Sequence, residues 1–480
     1  MFRIVRPYLF DLVFPSLLFL VFGVWAISCA QPLWLCIPFA WILLPPVFDL
    51  MLYRPGKLFW LLLVCLPLST ELNITPQLGL DFPDEPLLII LTAIVILRWI
   101  HQPNWAPYDL VKHPLFLVLV IYMFWLLVTV LYSTEMILSA KYLLAKTWYI
   151  FPLVVLPQLL LVQKSDLKRF ALCLLIPMAA VVLQSLGRHA MYGFSFALVQ
   201  KTLAPFFRNH VNYSAMLVCL LPVGWCSWRL TDAADSRRKW LLYGLLLGLV
   251  GLFFAYSRGA WMALLGGLVV VPVIRRKRMV WVVAIAVTAV VASSAWLITD
   301  DRYLQFAPDH DRTIFHTDFS DHMRATMELK DVSTAERFYR WIAGFRMLAE
   351  KPVTGFGPNS FYLHYRSYTV SSFETWVSDN PEHSTVHNYF ILLALEQGLI
   401  GLILFCMLYV GMLFRLQDLY HRLQDPFYRT IALTVAVILV MIGVINSMSD
   451  MIETDKIGSL FWLCLGMVIW LERKRRGNLE

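Results

Sequence analysis

Arginine side chains recur beside long apolar segments of this sequence. Arg258 stands between two apolar runs in the segment "AYSRGAW", and Arg208 and His210 precede another run in "FFRNHVNYSA". An arginine at membrane depth is costly, so it is usually paired or functional. Guanidinium groups bind phosphate oxygens through two parallel hydrogen bonds and stay charged at any working pH. These segments therefore favour a site for a phosphate-bearing anion.

A histidine stands at the start of a third apolar segment. His387 and Asn388 open "HNYFILLALEQGLIGLILF", and Arg337 and Arg340 precede them in a polar stretch, about one helical turn apart. A neutral imidazole can remove a proton from a hydroxyl near neutral pH. A diphosphate leaving group and a hydroxyl nucleophile are the reactants of glycosyl transfer from a lipid diphosphate. This is the chemistry that these residue types favour.

Each of these residues also has a structural interpretation. Arg258 could anchor the chain at the membrane surface or pair with a carboxylate, and Arg208 could extend its charge to the headgroups. Arg337 and Arg340 could belong to a solvated helix face. His387 could cap a helix. The sequence alone leaves these alternatives open.

Two further clusters contain side chains of the kinds that bind metal ions in other proteins. His310, His316 and His322 are separated by six-residue intervals, which match no common zinc-ligand pattern. Asp450 and two neighbouring carboxylates, Glu453 and Asp455, are interpreted as a solvated turn. A role for them in binding a hard cation is the lesser alternative. We therefore predict no metal site.

The composition places these residues in a membrane protein. Of the 480 residues, 59% are hydrophobic and 15% are charged, whereas a soluble domain has about 25% charged residues. We predict an all-α, polytopic membrane protein with about 12–14 transmembrane helices and one large periplasmic loop domain. The predicted spans lie near residues 9–30, 32–52, 58–70, 86–100, 114–132, 148–162, 167–186, 211–229, 239–256, 259–274, 279–298, 388–414, 428–447 and 457–472.

The basic residues predict the orientation of the chain. Of the 40 lysines and arginines, 24 fall on one side of the predicted spans, nearly all in short loops. Cytoplasmic loops carry this excess, so both termini are predicted to be cytoplasmic and the candidate site periplasmic. The net charge of +8 thus indicates the lipid bilayer as a partner, and not nucleic acid.

Three regions follow from this topology. Residues 1–298 are predicted to form the first part of the transmembrane bundle, 299–386 a periplasmic loop domain with amphipathic helices, and 387–480 the last part of the bundle.

Two polar stretches are predicted to form amphipathic helices outside the membrane. The stretch 133–147 is predicted to lie at the membrane interface. The other stretch, 333–352, is stopped by its final proline. Helical spacing puts five apolar residues of this second stretch on one face: Phe338, Trp341, Ile342, Phe345 and Leu348.

Three motifs resemble the O-antigen ligase and polymerase superfamily. His387-Asn388, followed after nine residues by "GLIG", resembles the signature of bacterial O-antigen ligases. "SRGAW" is similar to the arginine motif of the wider superfamily. "RFYRWIAGFRMLAEKPVTGFGPNSF" is similar to its loop segment, which leads to a Gly-x-Gly turn. Ligases, repeat-unit polymerases and protein O-oligosaccharyltransferases share these motifs, so the resemblance leaves all three activities open.

The resemblance implies a metal-independent, inverting glycosyltransferase of the GT-C type, without a cofactor, in the bacterial inner membrane. Its donor would be a glycan linked to undecaprenyl diphosphate. A ligase of lipopolysaccharide biosynthesis would transfer O-antigen to lipid A–core. A polymerase of O-antigen or exopolysaccharide would use a growing glycan as acceptor. A polysaccharide transporter is less favoured, because transporters place ionisable groups at the midplane and often contain inverted repeats.

The resemblance also implies roles for individual residues. His387 would be the base on the acceptor hydroxyl, and Arg258, Arg208 and Arg337 would bind the diphosphate. Asn388 would orient the histidine or bind sugar. Gly398 and Gly401 would let neighbouring helices approach closely. The remaining supporting residues are Arg340 and His210.

Overall fold

The computed structural model describes residues 14–28, 54–75, 78–102, 108–300, 302, 332–370, 378 and 384–477. Seventeen α-helices and one two-stranded hairpin make up the regular structure of these residues. The chain is therefore an all-α, polytopic membrane protein, as predicted. It divides into a small unit, Met1–Leu61, and a large unit, Leu62–Glu480, and the features described below lie in the large unit.

The helices are numbered in chain order. They are α1 (Phe14–Ser28), α2 (Pro55–Cys65), α3 (Asp84–His101), α4 (Tyr108–Val111), α5 (Pro114–Leu131), α6 (Met136–Leu160), α7 (Lys164–Met191), α8 (Val199–Leu203), α9 (His210–Leu230), α10 (Arg237–Phe253), α11 (Arg258–Arg275), α12 (Met279–Ile298), α13 (Val332–Glu350), α14 (Phe361–His364), α15 (Tyr389–Arg422), α16 (Pro426–Asn446) and α17 (Asp455–Gly477). Short 3₁₀ turns occur at Phe196–Leu198, Tyr365–Tyr368 and Met451–Glu453, and strands β1 (Thr70–Thr75) and β2 (Leu78–Phe82) form the antiparallel hairpin.

Eight helices of the described part are long and apolar enough to cross a membrane, namely α5, α6, α7, α9, α11, α12, α15 and α16. Helix α12 has none of its spanning window buried inside the protein, which suits a lipid-facing helix. Helix α17 is the opposite case, because every residue from Asp455 to Glu472 is buried. The predicted span near 32–52 lies outside the described residues.

Helix α17 is the centre of the large unit and packs closely against α6. A Cβ atom added to Gly466 would lie 2.7 Å from the carbonyl oxygen of Leu153. Gln158 donates a hydrogen bond of 2.6 Å to the carbonyl of Gly466, and Trp470 donates one of 2.7 Å to that of Leu161. The small glycine therefore allows the two backbones to meet.

Helices α11 and α15 run parallel, and α16 runs antiparallel to both. His421, near the end of α15, is hydrogen-bonded at 2.9 Å to the carbonyl of Ile274, at the end of α11. Asp425 then caps the start of α16 by accepting from the N–H of Phe427 at 2.8 Å. The starts of α11 and α15 and the end of α16 consequently share one end of the bundle, called here the site end.

The predicted interfacial stretch 133–147 is wrong as a separate element. Helix α6 runs as one helix from Met136 to Leu160. Lys146, which divides this segment in a hydropathy profile, is 4% exposed and forms a salt bridge of 3.0 Å with Glu453. A carboxylate from a distant segment of the chain thus compensates the charge that interrupts the apolar run.

The amphipathic helix predicted over 333–352 is confirmed as α13, but the face with the five apolar residues is not its most buried face. Phe345 is 41% exposed, and the rest of the predicted face is only half-buried. The buried residues are Ala335, Glu336, Tyr339, Arg340, Ala343, Gly344 and Met347. This face contains small residues because it packs on α15. A Cβ atom added to Gly344 of α13 would lie 3.0 Å from Cδ1 of Leu395 in α15.

Candidate functional site

His387 occupies a strained backbone position just before α15. Its φ angle is +52°, a left-handed conformation that few residues other than glycine adopt. The next residue, Asn388, caps the helix, since its Oδ1 accepts from the N–H groups of Phe390 and Ile391 at 3.1 Å each. Asn388 also donates to the carbonyl of Ser447 at 2.9 Å. The capping role proposed for His387 therefore belongs to Asn388, which leaves the imidazole available.

Helix α13 holds the two residues that precede His387. Trp341 donates from Nε1 to the carbonyl of Val386 at 2.9 Å, and Arg340 donates to the carbonyl of Thr385 at 3.1 Å. Both carbonyls are fixed by side chains of one helix. This contact sets the path of the chain into the strained residue.

The loop between α16 and α17 holds the same segment from another side. Thr385 Oγ1 donates to Asp450 Oδ2 at 2.7 Å, and the N–H of Tyr389 donates to the carbonyl of Ser449 at 3.0 Å. The backbone N–H of His387 makes a longer contact of 3.4 Å with Thr385 Oγ1. His387 is thus positioned between two separate parts of the fold, and such over-determination is what maintains a strained conformation.

Arg340 is itself fixed inside the protein. It is 5% exposed and forms a salt bridge of 3.2 Å with Glu336, one turn earlier on α13. Ser378 donates to the same carboxylate at 2.6 Å. Arg340 therefore supports the site by holding the segment at Thr385, while Arg337, one turn away and half-buried, remains the candidate for binding an anion.

The surroundings of His387 keep its imidazole neutral. Burial, followed by the positive charges of Arg340 and Arg337, lowers the pKa of His387 to about 3. In the part of the chain that the structure describes, the ring makes no hydrogen bond. At neutral pH this histidine is therefore an unprotonated base in a positive environment, which is where a negatively charged substrate would bind.

The pH dependence of the reaction should reflect this pKa. His387 is neutral above about pH 4, so kcat/KM, which reports the free enzyme, should not fall between pH 8 and pH 5 through its protonation. Arg337→Gln removes a positive charge, raises the pKa of His387 and should move the acidic limb of the profile to higher pH. The measurement is the initial reaction rate at low substrate concentration, from pH 8 down to about pH 3, where the wild-type limb lies. An unchanged limb in Arg337→Gln would contradict the proposed electrostatic influence.

The other predicted anion-binding residues lie at the site end of the bundle. Arg258 is the first residue of α11 and is half-buried, whereas Arg208 is exposed two residues before α9 begins at His210. Lys456, at the start of α17, donates to the carbonyl of Phe206 at 2.9 Å. This bond ties the Arg208 segment to α17, directly after the loop that holds Thr385 and Tyr389.

Helix directions add to the positive charge of this end. Helices α9, α11 and α15 all begin here, and a helix amino terminus carries partial positive charge. Arg258 and His210 occupy the first positions of two of these helices. The positive ends of these helices together with the guanidinium groups make this end suitable for phosphate.

The turn of residues 355–361 docks on a break in α15. Gly398 has φ +70° and ψ 178° within that helix, a combination that is essentially restricted to glycine. Around the break, the N–H of Phe356 donates to the carbonyl of Leu395 at 2.9 Å. The N–H of Leu399 donates to the carbonyl of Pro352 at 2.8 Å. The backbone groups freed by the break are thus satisfied by the loop.

A buried carboxylate completes this junction. Glu396 accepts from the N–H groups of Asn359 and Phe361, at 2.8 and 3.2 Å. A Cβ at Gly355 would lie 2.6 Å from the carbonyl oxygen of Leu395, so glycine is needed for the close approach. The turn and the broken helix therefore form one structural unit.

Only one of the two glycines of the "GLIG" motif faces a neighbouring helix, as was expected of both. A Cβ at Gly398 would lie 1.8 Å from the carbonyl oxygen of Val353, so this glycine admits the loop, and not a neighbouring helix. Gly401 does face a helix, because a Cβ there would lie 3.4 Å from Trp125 Cδ1 of α5. Both lie roughly 15–20 Å along α15 from His387, which assigns them to architecture.

Sequence reasoning missed a buried polar network beside the site. Glu453 pairs with Lys146 and also accepts from the hydroxyl of Tyr142 at 2.8 Å. Asp450 holds Thr385, and burial raises the pKa of Asp450. The solvated turn predicted for the three carboxylates is therefore wrong. The signal was Lys146, a cation next to a long apolar run, which requires a partner.

The third carboxylate of that turn, Asp455, accepts from the Ser69 hydroxyl at 3.1 Å. Within the described ranges, no group of three or more His, Cys, Asp or Glu side chains is arranged to hold a metal ion. His310, His316 and His322 lie outside those ranges.

Residues 243–406, about a third of the chain, match the O-antigen ligase family. The matched segment contains Arg258, Arg337, Arg340, His387, Asn388, Gly398 and Gly401, whereas Arg208 and His210 precede it. No curated protein matches the chain significantly. The family match confirms the resemblance to the O-antigen ligase superfamily.

Proposed function

Since residues 243–406 match the O-antigen ligase family, we propose that the chain transfers a glycan from undecaprenyl diphosphate to an acceptor hydroxyl at the periplasmic face of the inner membrane. The acceptor is lipid A–core, and the reaction is O-antigen ligation. The observation that carries the proposal is the neutral His387 ring, held beside Arg337 and Arg340 at the end of the bundle where Arg258 also lies. A base and a diphosphate site are the two parts that this transfer needs.

In the proposed mechanism, His387 accepts the proton of the acceptor hydroxyl. The oxygen attacks the anomeric carbon from the face opposite the diphosphate, so the carbon–oxygen bond to the diphosphate breaks as the new bond forms and the configuration inverts. Undecaprenyl diphosphate leaves as an anion bound by Arg258, Arg337 and Arg208. The negative diphosphate raises the basicity of His387, so the base strengthens when the donor is bound.

If Arg258 binds the diphosphate through two parallel hydrogen bonds, its replacement has a predictable effect. Arg258→Lys keeps the charge but loses the paired hydrogen bonds. A charge-assisted hydrogen bond contributes about 1.5–3 kcal/mol, so we expect kcat/KM to fall about tenfold in Arg258→Lys and about 100-fold in Arg258→Ala. The exposed Arg276→Lys, at the opposite end of α11, is the matched control. Equal activity of wild type and Arg258→Ala would contradict a diphosphate role.

Incubation of purified protein with lipid-linked donor tests the proposed function. A ligase needs lipid A–core and forms one glycan–lipid A product. The alternatives are a repeat-unit polymerase, which would lengthen the glycan on its carrier without lipid A–core, and a protein O-oligosaccharyltransferase, which would require a polypeptide acceptor. Transfer in detergent, without a membrane gradient, would argue against a polysaccharide transporter.

We further propose that the transfer needs no metal ion, because the arginines neutralise the diphosphate. Activity in a chelator should equal activity in added magnesium. The assay uses the same purified protein, with a magnesium-dependent glycosyltransferase as the positive control for chelation. Loss of transfer in the chelator, restored by magnesium or manganese, would contradict this prediction.

A further inference from the structure

An apolar groove lies at the end of the bundle opposite the site end. Helices α7, α9, α10 and α16 line a cavity of about 530 Å³. Its lining includes Phe427, at the start of α16, whereas the last residue of α16 adjoins Ser447, which contacts Asn388. The groove is therefore separate from the candidate catalytic residues.

The dimensions of the groove suit a lipid chain. Along α9 its lining extends from Leu217 to Leu230, which at 1.5 Å per residue is roughly 20 Å. One leaflet contributes about half of a hydrocarbon core of about 30 Å. Most lining side chains are aliphatic, and the helices that carry them include three candidate spans, α7, α9 and α16. The groove therefore faces lipid, and not water.

Charged side chains of both signs line one end of this groove. Lys168 lies near the start of α7, Arg237 begins α10, and Asp232 and Asp235 lie in the connection between α9 and α10. Within the part of the chain that the structure describes, neither Lys168 nor Arg237 forms a salt bridge. Trp240 is 74% exposed beside them, as is typical of aromatic residues at the headgroup level.

We infer that this groove binds one phospholipid with a zwitterionic headgroup that ends in a primary ammonium. The acyl chains lie between the four helices, and Lys168 and Arg237 bind the phosphate. Asp232 and Asp235 accept hydrogen bonds from the ammonium group. Two cations and two carboxylates complement a headgroup of zero net charge, whereas an anionic headgroup would bring no positive charge to the two carboxylates.

Gly244 allows a direct test, because it lines the groove and a Cβ added there would meet no atom within 4 Å. Gly244→Trp should therefore fill the groove without displacing its walls. Gly187→Trp is the matched control, since Gly187 is equally open but lies outside the lining. The readout is native mass spectrometry of protein extracted from vesicles of equal phosphatidylethanolamine, phosphatidylcholine and phosphatidylglycerol.

The expected result is one phosphatidylethanolamine retained by wild type and Gly187→Trp, and lost from Gly244→Trp. Asp232→Asn should reduce retention against phosphatidylcholine about tenfold, the effect of one charge-assisted hydrogen bond. Equal retention of phosphatidylglycerol, an adduct with the mass of a polyprenyl lipid, or an adduct unaffected by Gly244→Trp would each overturn the inference. Because the readout is lipid mass, its failure is independent of glycan transfer.

Discussion

Replacement of His387 by asparagine should abolish glycan transfer while the protein still folds. Loss of a general base typically reduces the rate by about 100- to 10,000-fold. Asparagine tolerates the left-handed backbone of this position better than most residues, so the φ angle of +52° should persist. The measurement is kcat for transfer from lipid-linked donor, together with thermal unfolding in detergent. His387→Ala should be equally inactive and somewhat less stable.

His101→Ala is the control for this prediction, because His101 is exposed at the end of α3. It should retain wild-type turnover and stability. Wild-type turnover of His387→Asn in correctly inserted protein would show that the ring does not act as the base. A loss of activity accompanied by an equal loss of folded protein would instead assign His387 a structural role.

Replacement of Gly398 by alanine should have the largest effect on stability. The conformation of Gly398 is essentially closed to alanine, and the new Cβ would lie 1.8 Å from the carbonyl oxygen of Val353. Backbone strain of about 1–3 kcal/mol and overpacking of about 1–3 kcal/mol together give about 2–6 kcal/mol. We expect a clear fall in Tm in detergent and a loop that is cleaved more readily by protease.

Gly187→Ala is the matched control for Gly398→Ala. Gly187 lies within α7, and a Cβ there would meet no atom within 4 Å. Alanine favours a helix over glycine by about 1 kcal/mol, so Tm should stay constant or rise. Similar stability of Gly398→Ala and Gly187→Ala would contradict the structural role of the break.

Hydropathy predicts the helices of this chain better than it predicts their faces. The apolar runs and the amphipathic stretch 333–352 identify most spans and α13, because apolar composition and a proline stop are local properties. The buried face of α13 is determined by packing on α15, which favours Ala343 and Gly344 over Phe345. That preference depends on a partner that is distant in sequence.

The candidate site also has some features that local sequence predicts and others that depend on distant segments. His387 and Arg258 can be identified from residue type and position at the ends of apolar runs. The hydrogen bonds of Trp341 and Thr385 beside His387 join segments far apart in the chain, and so does the salt bridge of Lys146 with Glu453. The break at Gly398 is also hidden, because the run around it is continuously apolar. No local pattern specifies which carbonyl meets which side chain.

The junction at Gly398 has a consequence for biogenesis. An ionisable side chain in a spanning helix opposes membrane insertion, and Glu396 lies in such a helix, nine residues after His387. The N–H groups that satisfy its carboxylate belong to Asn359 and Phe361, which the ribosome synthesises earlier. The turn is therefore synthesised before the span that docks on it. Order of synthesis, more than the hydropathy of the run, then determines when this span becomes stable.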